Sequence, residues 1–407
     1  MMISTKFPQT DVTIRVAVLL LFSMTGFVMG SWAPRIPDLL VQLSISEHTF
    51  GFLLFTFGVG SLLFIPLSGY LIGLFGSATI SRCLTILLAP MLLLLVWVNS
   101  PWNSCIIMFL FGGFIGGIDV GMNANASAVE KVLQRPIMCS CHACWNLGAL
   151  LGAFFGGTIL ERWGRLAHGL ESTFVALGIL AISLPLLLND STNSAPTDSV
   201  PTQTTTLTFL KNVIPWLLGI IALFAMIPEG LILDWGAIYF RKYLGASISE
   251  AGYAYAIFST SMMVMRFFGD RIREKWGAIA TVRVGAIIAI CGLLELCLIN
   301  SKPAALVGFA LMGLGLSNVF PIAVSAAAKL PGYSGAGLVL ATGIGYSGIL
   351  VAPPIIGFTI EQVGFHNVFL TTISLLVFIL VFSHHTVHAE TISSGQEAGT
   401  TSQGVGQ

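Results

Sequence analysis

The sequence predicts an all-α membrane protein with twelve transmembrane helices arranged as two six-helix bundles. Three observations lead to this prediction. Of the 407 residues, 55% are hydrophobic and only 9% are charged, whereas a soluble domain carries about 25% charged residues. Twelve apolar stretches are long enough to cross a bilayer, which takes about 20 residues each. A polar linker and an internal repeat divide these stretches into two sets of six.

The twelve apolar stretches follow one another with short connections. They cover residues 12–34, 48–75, 78–98, 102–130, 136–163, 166–188, 210–240, 249–270, 278–299, 303–329, 334–361 and 364–384. The first stretch has no small-residue cleavage site, so we interpret it as a retained span and not as a signal peptide. We therefore predict an N-terminal bundle over residues 1–188, a cytoplasmic linker over 189–209, a C-terminal bundle over 210–384 and a disordered tail over 385–407.

Two short matches between the halves indicate a parallel repeat. Trp32 and the segment Ser44-Ile-Ser-Glu47 correspond to Trp235 and Ser247-Ile-Ser-Glu250 at an offset of 203. The spaced residues Gly157, Glu161 and Gly164 correspond to Gly357, Glu361 and Gly364 at an offset of 200. Repeats of this kind place a substrate site at their interface near the middle of the bilayer.

The distribution of basic residues predicts the orientation. With both termini inside, twelve of the eighteen lysines and arginines fall on the cytoplasmic side and six on the other. Short cytoplasmic loops carry such an excess. We therefore expect a multi-pass protein with both termini in the cytoplasm.

Several classes of function are disfavoured by what the sequence lacks. Equal numbers of acidic and basic residues, eighteen each, leave no basic surface for nucleic acid. No nucleotide-binding or metalloprotease motif occurs, so neither a primary pump nor an intramembrane enzyme is indicated. The cluster Cys139-Ser-Cys141-His142-Ala-Cys144 fits no metal-site spacing. We expect no cofactor and no bound metal.

The stretch from Phe111 to Glu130 is the most informative part of the chain. It is apolar enough to enter a bilayer, yet it carries Asp119, Asn123 and Asn125. Asp119 and Asn123 are four residues apart and share one helix face. A carboxylate at mid-membrane costs about 2.5 to 3.5 kcal/mol on insertion scales. We therefore predict that this face meets a watery or protein-lined interior; the alternative is a structural acid that holds Asn123 or a neighbouring helix.

A family resemblance is carried by several segments together: Ser31-Trp-Ala-Pro-Arg-Ile-Pro37, Asp119-Val-Gly-Met-Asn123, His142-Ala-Cys-Trp-Asn-Leu-Gly148, Glu229-Gly-Leu-Ile-Leu-Asp-Trp235, Gly313-Leu-Gly-Leu-Ser-Asn-Val-Phe-Pro321 and Pro353-Pro-Ile-Ile-Gly357. Apart from linker and tail, the chain resembles a transporter of the major facilitator superfamily. Within it the chain is similar to a bacterial branch of YbjJ-type inner-membrane permeases and distantly similar to the fucose–proton symporters.

The superfamily signature G-x-L-x-D-R-x-G-R-R between spans two and three is only partly present. Gly69, Leu71 and Gly76 stand in place, but Gly73 and Leu74 replace the acidic and basic pair. In the second half Glu274, Lys275 and Gly277 hold the corresponding places, whereas Asp270 replaces the first glycine. The resemblance implies a cytoplasmic gate that includes Glu274 and Lys275.

In this superfamily, spans 1, 4, 7 and 10 line the central cavity. The position of Asp119 resembles that of a membrane-embedded glutamate implicated in proton coupling in the fucose symporter. A carboxyl in a low-dielectric site can load and release a proton as the cavity opens to each side. Glu229 follows Pro228 and is the second candidate for proton coupling; its alternative is a structural partner to a basic residue of the other half.

The predicted substrate-binding residues are polar or aromatic side chains mapped to cavity positions. They are Trp32, Asn123, His142, Trp145, Asn146, Asp234, Trp235 and Asn318. For the tryptophans the alternative is an interface anchor, and for His142 a histidine satisfied within the bundle. Arg35 is a candidate outer gate that pairs with Asp234 or Asp38, or a contact to an anionic substrate group; its alternative is a snorkelling arginine.

These observations predict a secondary active transporter in the bacterial inner membrane. The solute would be small and polar with an apolar face, either sugar-like or heteroaromatic. We expect proton-coupled symport by alternating access, with the proton as coupling ion, the lipid bilayer as surroundings and a monomeric protein. The alternative is proton-driven efflux of drugs or surplus metabolites.

Overall fold

The computed structural model describes residues 10–134, 137–189, 212–330 and 334–390. No strand occurs among these residues. The helices are α1 (Asp11–Leu43), α2 (Glu47–Phe75), α3 (Ser77–Leu88, continued by the turn Met91–Leu94), α4 (Pro101–Leu133), α5 (Met138–Ser183), α6 (Val213–Ile238), α7 (Ile248–Leu298), α8 (Lys302–Leu316), α9 (Val319–Ala328) and α10 (Ser334–Phe382). The predicted linker, except Asn189, and the tail beyond residue 390 lie outside the described residues.

The chain is a multi-pass membrane protein. Within the described ranges, nine helices or helix runs are long and apolar enough to cross a membrane. Three helices, α5, α7 and α10, are each divided by one non-helical glycine: Gly164, Gly277 and Gly364. The all-α membrane fold is thus confirmed, and the total of twelve spans stays a prediction.

The divisions occur at glycines because the backbone there has a conformation that other residues avoid. Gly164 has φ 80° and ψ −177°, and Gly364 has φ 77° and ψ 170°. Backbone with φ positive and ψ near 180° is essentially restricted to glycine. These glycines therefore turn one transmembrane segment into the next without a longer loop.

Serine caps fix the beginnings of four helices. The side chains of Ser46, Ser100, Ser247 and Ser301 each accept a hydrogen bond from the backbone N–H three residues later. Such caps satisfy one of the free N–H groups at a helix start. In α7 the cap is reciprocal, because Glu250 accepts from the Ser247 N–H at 2.7 Å.

The caps and glycine turns repeat between the halves and correct the predicted register. Ser46 and Ser247, Ser100 and Ser301, and Gly76 and Gly277 are each separated by 201 residues; Gly164 and Gly364 are separated by 200. The predicted offset of 203 for the two Ser-Ile-Ser-Glu segments is therefore two residues out of structural register. Ser46, not Ser44, corresponds to the cap Ser247, because each accepts the capping bond of its helix.

The predicted tail begins too early. Residues Ser383–Glu390 form a 3₁₀-helix, and Ala389 is buried. Its carbonyl accepts a hydrogen bond from Lys329 Nζ at 2.7 Å and another from Arg273. These two cations bind the Ala389 carbonyl and hold the 3₁₀-helix to the C-terminal half.

The two halves meet at one end of the molecule, which we call the closed end. It carries the α1–α2 junction, Gly164, the α6–α7 junction and Gly364; the opposite end, near residues 10, 134 and 189, is the linker end. Among the described residues, the side-chain hydrogen bonds between the halves lie at the closed end. No such bond joins the halves at the linker end within those ranges.

An aromatic plug of three residues, Trp32, Phe50 and Trp235, fills the space behind the closed end. The Phe50 ring stacks on Trp32 at a centroid distance of 6.5 Å and meets the Trp235 ring edge-on at 5.5 Å. All three side chains are buried. Because Trp235 belongs to the other half, the plug makes an apolar seal between the halves.

Candidate functional site

The central polar residues of both halves lie within electrostatic range of one another. Tyr346 of α10 interacts electrostatically with Asp119 of α4, Glu229 of α6 and Arg266 of α7. Asp119 is the member from the N-terminal half, so its charge reaches across the interface. Asp119 therefore lies close enough to Tyr346 of the C-terminal half for their charges to interact.

Asp119 is held by its own helix. Asn123 Nδ2 donates to the Asp119 backbone carbonyl at 2.8 Å and to Asp119 Oδ1 at 3.2 Å. The Asp119 residue is exposed, and within the described ranges no cation forms an ion pair with it. One amide thus orients the carboxyl group without neutralising its charge. The third polar residue of the stretch, Asn125, is fully buried and holds α4 to Ser77 and to the Leu188 carbonyl.

Glu229 has a cationic partner in its own half. Its Oε2 lies 3.6 Å from Arg266 Nη2, and Arg266 Nε donates to the Ser317 carbonyl at 3.1 Å. The alternative of a basic partner from the other half is therefore not what the structure shows. Pro228 stands inside the continuous helix α6, so the carboxyl group is positioned by helix packing and not by a helix break.

Asp234 lies one turn further toward the closed end. It interacts electrostatically with the buried Tyr255, and Tyr255 also interacts electrostatically with Glu229. Tyr255 packs with Ala33, Ala149 and Ala153 of the N-terminal half. This small-residue contact lets the two halves approach closely beside Asp234, and it marks the closed-end limit of the polar site.

The predicted α5 residues lie on the N-terminal side of the same site. His142 is exposed, interacts electrostatically with Arg266, and meets the Phe22 ring edge-on at 5.3 Å. Asn146 Nδ2 donates to the His142 carbonyl at 2.9 Å. Trp145 is half-buried. The imidazole of His142 and the guanidinium group of Arg266, which belong to opposite halves, are therefore close enough to interact through their charges.

Three predicted substrate contacts have mainly packing roles in this conformation. Trp32 and Trp235 belong to the aromatic plug. Asn318 stands at the break between α8 and α9 and packs on Gly269, where a β-carbon would lie 2.2 Å from Asn318 Oδ1. These three side chains form the boundary of the polar site by packing, and they contribute little to its lining.

Arg35 is a member of a buried network inside the N-terminal half. It pairs with Asp38, contacts Gln42 and donates to the Leu95 carbonyl at 3.1 Å. Asp38 also binds Arg165 Nε at 2.8 Å. The pairing with Asp38 that the sequence offered as one alternative is present, but the network does not join the two halves. Glu274 and Lys275 are exposed near the linker end, and neither forms an ion pair with a described residue.

The sequence interpretation missed Arg266 and Tyr346, which complete the central site. Arg266 lies within the predicted apolar stretch 249–270. Its signal was present, because it stands within an apolar stretch, and an ionisable side chain there marks a functional position. Tyr346 carried no comparable signal, since a tyrosine in an apolar helix is common.

The fold and the site together define a class of protein. Two related helical halves hold polar side chains between them. Among the described residues, side-chain hydrogen bonds join the halves at the closed end and not at the linker end. This is the arrangement of a membrane transporter.

The family follows from sequence comparison. The model of the Major Facilitator Superfamily matches residues 18–353, and the chain belongs to this family. It is 32% identical over 384 residues to an uncharacterized MFS-type transporter of Yersinia pestis, covering 93% of this chain and 97% of the relative. It is also 32% identical over 369 residues to the membrane protein MosC of Rhizobium meliloti, covering 89% and 88% of the two chains.

Solved structures support the same fold. A mutant of the nucleoside transporter NupG superposes with a TM-score of 0.73 at 11% identity, covering 93% of this chain and all of the other. A bacterial homolog of the human lysosomal transporter Spinster, in an inward-facing and unoccupied conformation, gives a TM-score of 0.65 at 14% identity over 93% of this chain and 96% of the other. The predicted family and the MFS fold are thus confirmed.

Proposed function

We propose that the chain carries a small polar organic solute, sugar-like or heteroaromatic, by proton-coupled symport. The observation that carries the proposal is Asp119: an exposed carboxyl group without an ion pair to any described residue, which interacts electrostatically with Tyr346, as do Glu229 and Arg266 of the other half. A carboxyl group in that position can take up or release a proton on the side of the membrane to which the site is open.

The site supports this class of solute through its mixture of groups. Asn123, Asn146 and Tyr346 offer hydrogen bonds, His142 and Arg266 offer donors, and Trp145 offers an aromatic face. Sugars and heteroaromatic rings combine polar edges with an apolar face, which suits such a lining. The fold neighbour NupG is named a nucleoside transporter, so nucleosides belong among the solutes to test.

The orientation belongs to the same proposal. With both termini in the cytoplasm of a bacterium, the linker end faces inward and the closed end faces outward. The conformation described here would then be open to the cytoplasm. Rocking of the two halves would expose Asp119 and its neighbours to the other side.

A thermal-shift screen of the purified protein tests the solute class. Nucleosides, sugars, vitamins, amino acids and drugs are added singly at two pH values, because a ligand that binds the folded state raises its apparent stability by mass action. We expect a polar solute to raise the melting temperature of the wild type and of Glu295→Gln, a substitution outside the site. We expect a smaller rise for Asp119→Asn. Binders drawn from the bulky apolar drugs alone would favour efflux over uptake.

A further inference from the structure

One segment pattern occurs once in each half and has no part in the central site. The pattern is G-x-x-x-E-x-x-G, present as residues 157–164 and 357–364. Its last glycine is the turn that divides α5 or α10. Its glutamate, Glu161 or Glu361, lies one turn before that division, at the closed end.

Glu161 binds the beginning of α7 in the opposite half. Its Oε2 accepts from the Ser247 hydroxyl at 3.1 Å and from the Ser249 backbone N–H at 2.9 Å. Ser247 is the cap of α7, and Ser249 is its second helical residue. A carboxylate is stabilised at this position because free N–H groups and the positive end of the helix dipole point toward it.

Glu361 binds the beginning of α2 in the same way, with the halves exchanged. Its Oε2 accepts from the His48 backbone N–H at 3.2 Å. Ser46 is the cap of α2, and His48 is its second helical residue. The two contacts are therefore related by the same repeat that relates the caps and the glycine turns.

The first glycine of each segment permits this approach. A β-carbon on Gly157 would lie 3.1 Å from Ser249 Cα, and one on Gly357 would lie 2.5 Å from the Glu47 carbonyl oxygen. In each half the backbone at this glycine contacts the first residues of a helix in the other half. The glutamate one turn later accepts hydrogen bonds from the beginning of the same helix. The ion pair of Lys242 with Glu47 reinforces the second contact.

We propose that these two segments are a pair of latches that hold the halves together at the closed end and release when that end opens. Each latch joins a carboxylate of one half to a helix start of the other, so it exists only while the halves touch. The proposal requires a second state that is open at this end, but no particular solute or coupling ion.

Basic side chains flank both latches. Arg241 interacts electrostatically with Glu161, and His48 and Lys242 interact electrostatically with Glu361.

A thiol-labelling experiment in sealed membrane vesicles at neutral pH tests the latches. The reporter is Ala256→Cys: Ala256 is buried and packs with Ala33, Ala149 and Ala153 of the other half. A membrane-impermeant maleimide is added on the closed-end side. The labelling rate of the protein without the reporter cysteine is subtracted, because native cysteines can also react.

The variants are Glu161→Gln, Glu361→Gln and their combination. The matched control is Glu250→Gln, because Glu250 also lies at the closed end and its hydrogen bonds to described residues, Ser247 and Lys302, stay within its own half. Both latch glutamates are exposed, so their substitution leaves folding intact. Melting temperatures verify this, and each latch offers an independent test.

We expect each single substitution to raise the labelling rate about two- to five-fold, the range for one exposed charged contact. The combined variant should show the product of the two increases, because the contacts lie on separate helix starts. Glu250→Gln should label like the wild type. Single and combined variants that label no faster than Glu250→Gln would overturn the proposal, and would leave the proposed solute and proton coupling untouched.

Discussion

At the scale of single residues, a buried network around Arg35 joins charged and amide side chains to backbone carbonyls inside the N-terminal half. The Arg35 side chain is completely buried. Asp38 joins it to Arg165, while Gln42 Nε2 donates to the carbonyls of Leu95, Val96 and Val98, at 2.7 Å for the last. A guanidinium group in such a place needs its carboxylate, because removal of one partner leaves an unpaired buried charge.

We therefore expect Asp38→Asn to lower stability strongly. Leaving Arg35 unpaired should cost about 3 kcal/mol or more, seen as a lower melting temperature of the purified protein in detergent. Glu274→Gln is the matched control, since Glu274 is exposed and forms no ion pair with a described residue; it should change stability by less than about 0.5 kcal/mol. Equal melting temperatures for the two variants would contradict a structural role of the network.

The residues of the central site show what sequence reasoning can and cannot predict. Asp119 and Asn123 could be predicted to share one helix face, because their spacing of four residues is a local fact, and the structure joins them by a hydrogen bond. The pairing of Glu229 with Arg266 could not, because it depends on how α6 packs against α7. The burial of Trp32 and Trp235 likewise depends on the conformation, since both fill a seal that exists while the halves touch.

At the scale of helices, glycines set how closely α1 and α5 pack. A β-carbon on Gly26 would lie 1.9 Å from the Trp145 carbonyl oxygen, and one on Gly148 would lie 2.0 Å from that of Ser23. Gly30 and Gly152 make similar approaches further along the same pair. Small residues bring helix backbones together in membranes, where packing and not water drives association.

We expect Gly26→Ala to destabilise the protein, whereas Gly69→Ala should not. The first substitution forces the backbones of α1 and α5 apart, at a cost of about 1 to 3 kcal/mol. Gly69 lies inside α2 with nothing within 4 Å of its would-be β-carbon, so alanine there should be neutral or stabilise the helix by up to about 1 kcal/mol. Melting temperatures of the two variants test this, and a lower value for Gly69→Ala than for Gly26→Ala would contradict the packing account.

The sequence predicted which segments are helical better than it predicted the residues at which the helices end. The nine membrane-length helices or helix runs among the described residues all overlap predicted apolar stretches, but the first stretch was expected to end at residue 34. In the structure α1 continues through both prolines to Leu43. The buried contacts of Arg35 and Asp38 hold this part helical, and such tertiary contacts override the local preference of proline.

At the scale of the whole molecule, two related halves form a site that is sealed at one end. The apolar plug and the latches lie at that end, and the groups that can bind a solute lie behind them. The repeat was visible in the sequence as a few matched residues, whereas its function in closing one end was not, because each matched glutamate contacts the other half. Rocking about the site would exchange these contacts for equivalent ones at the linker end.

The most direct test of proton-coupled transport uses proteoliposomes and a solute found in the thermal-shift screen. An inward proton gradient should drive accumulation of the solute by the wild type and by Glu295→Gln. Asp119→Asn should exchange labelled for unlabelled solute at a comparable rate but should not accumulate it against a gradient. Accumulation by Asp119→Asn equal to that of the wild type, or no response of the wild type to the proton gradient, would contradict the account.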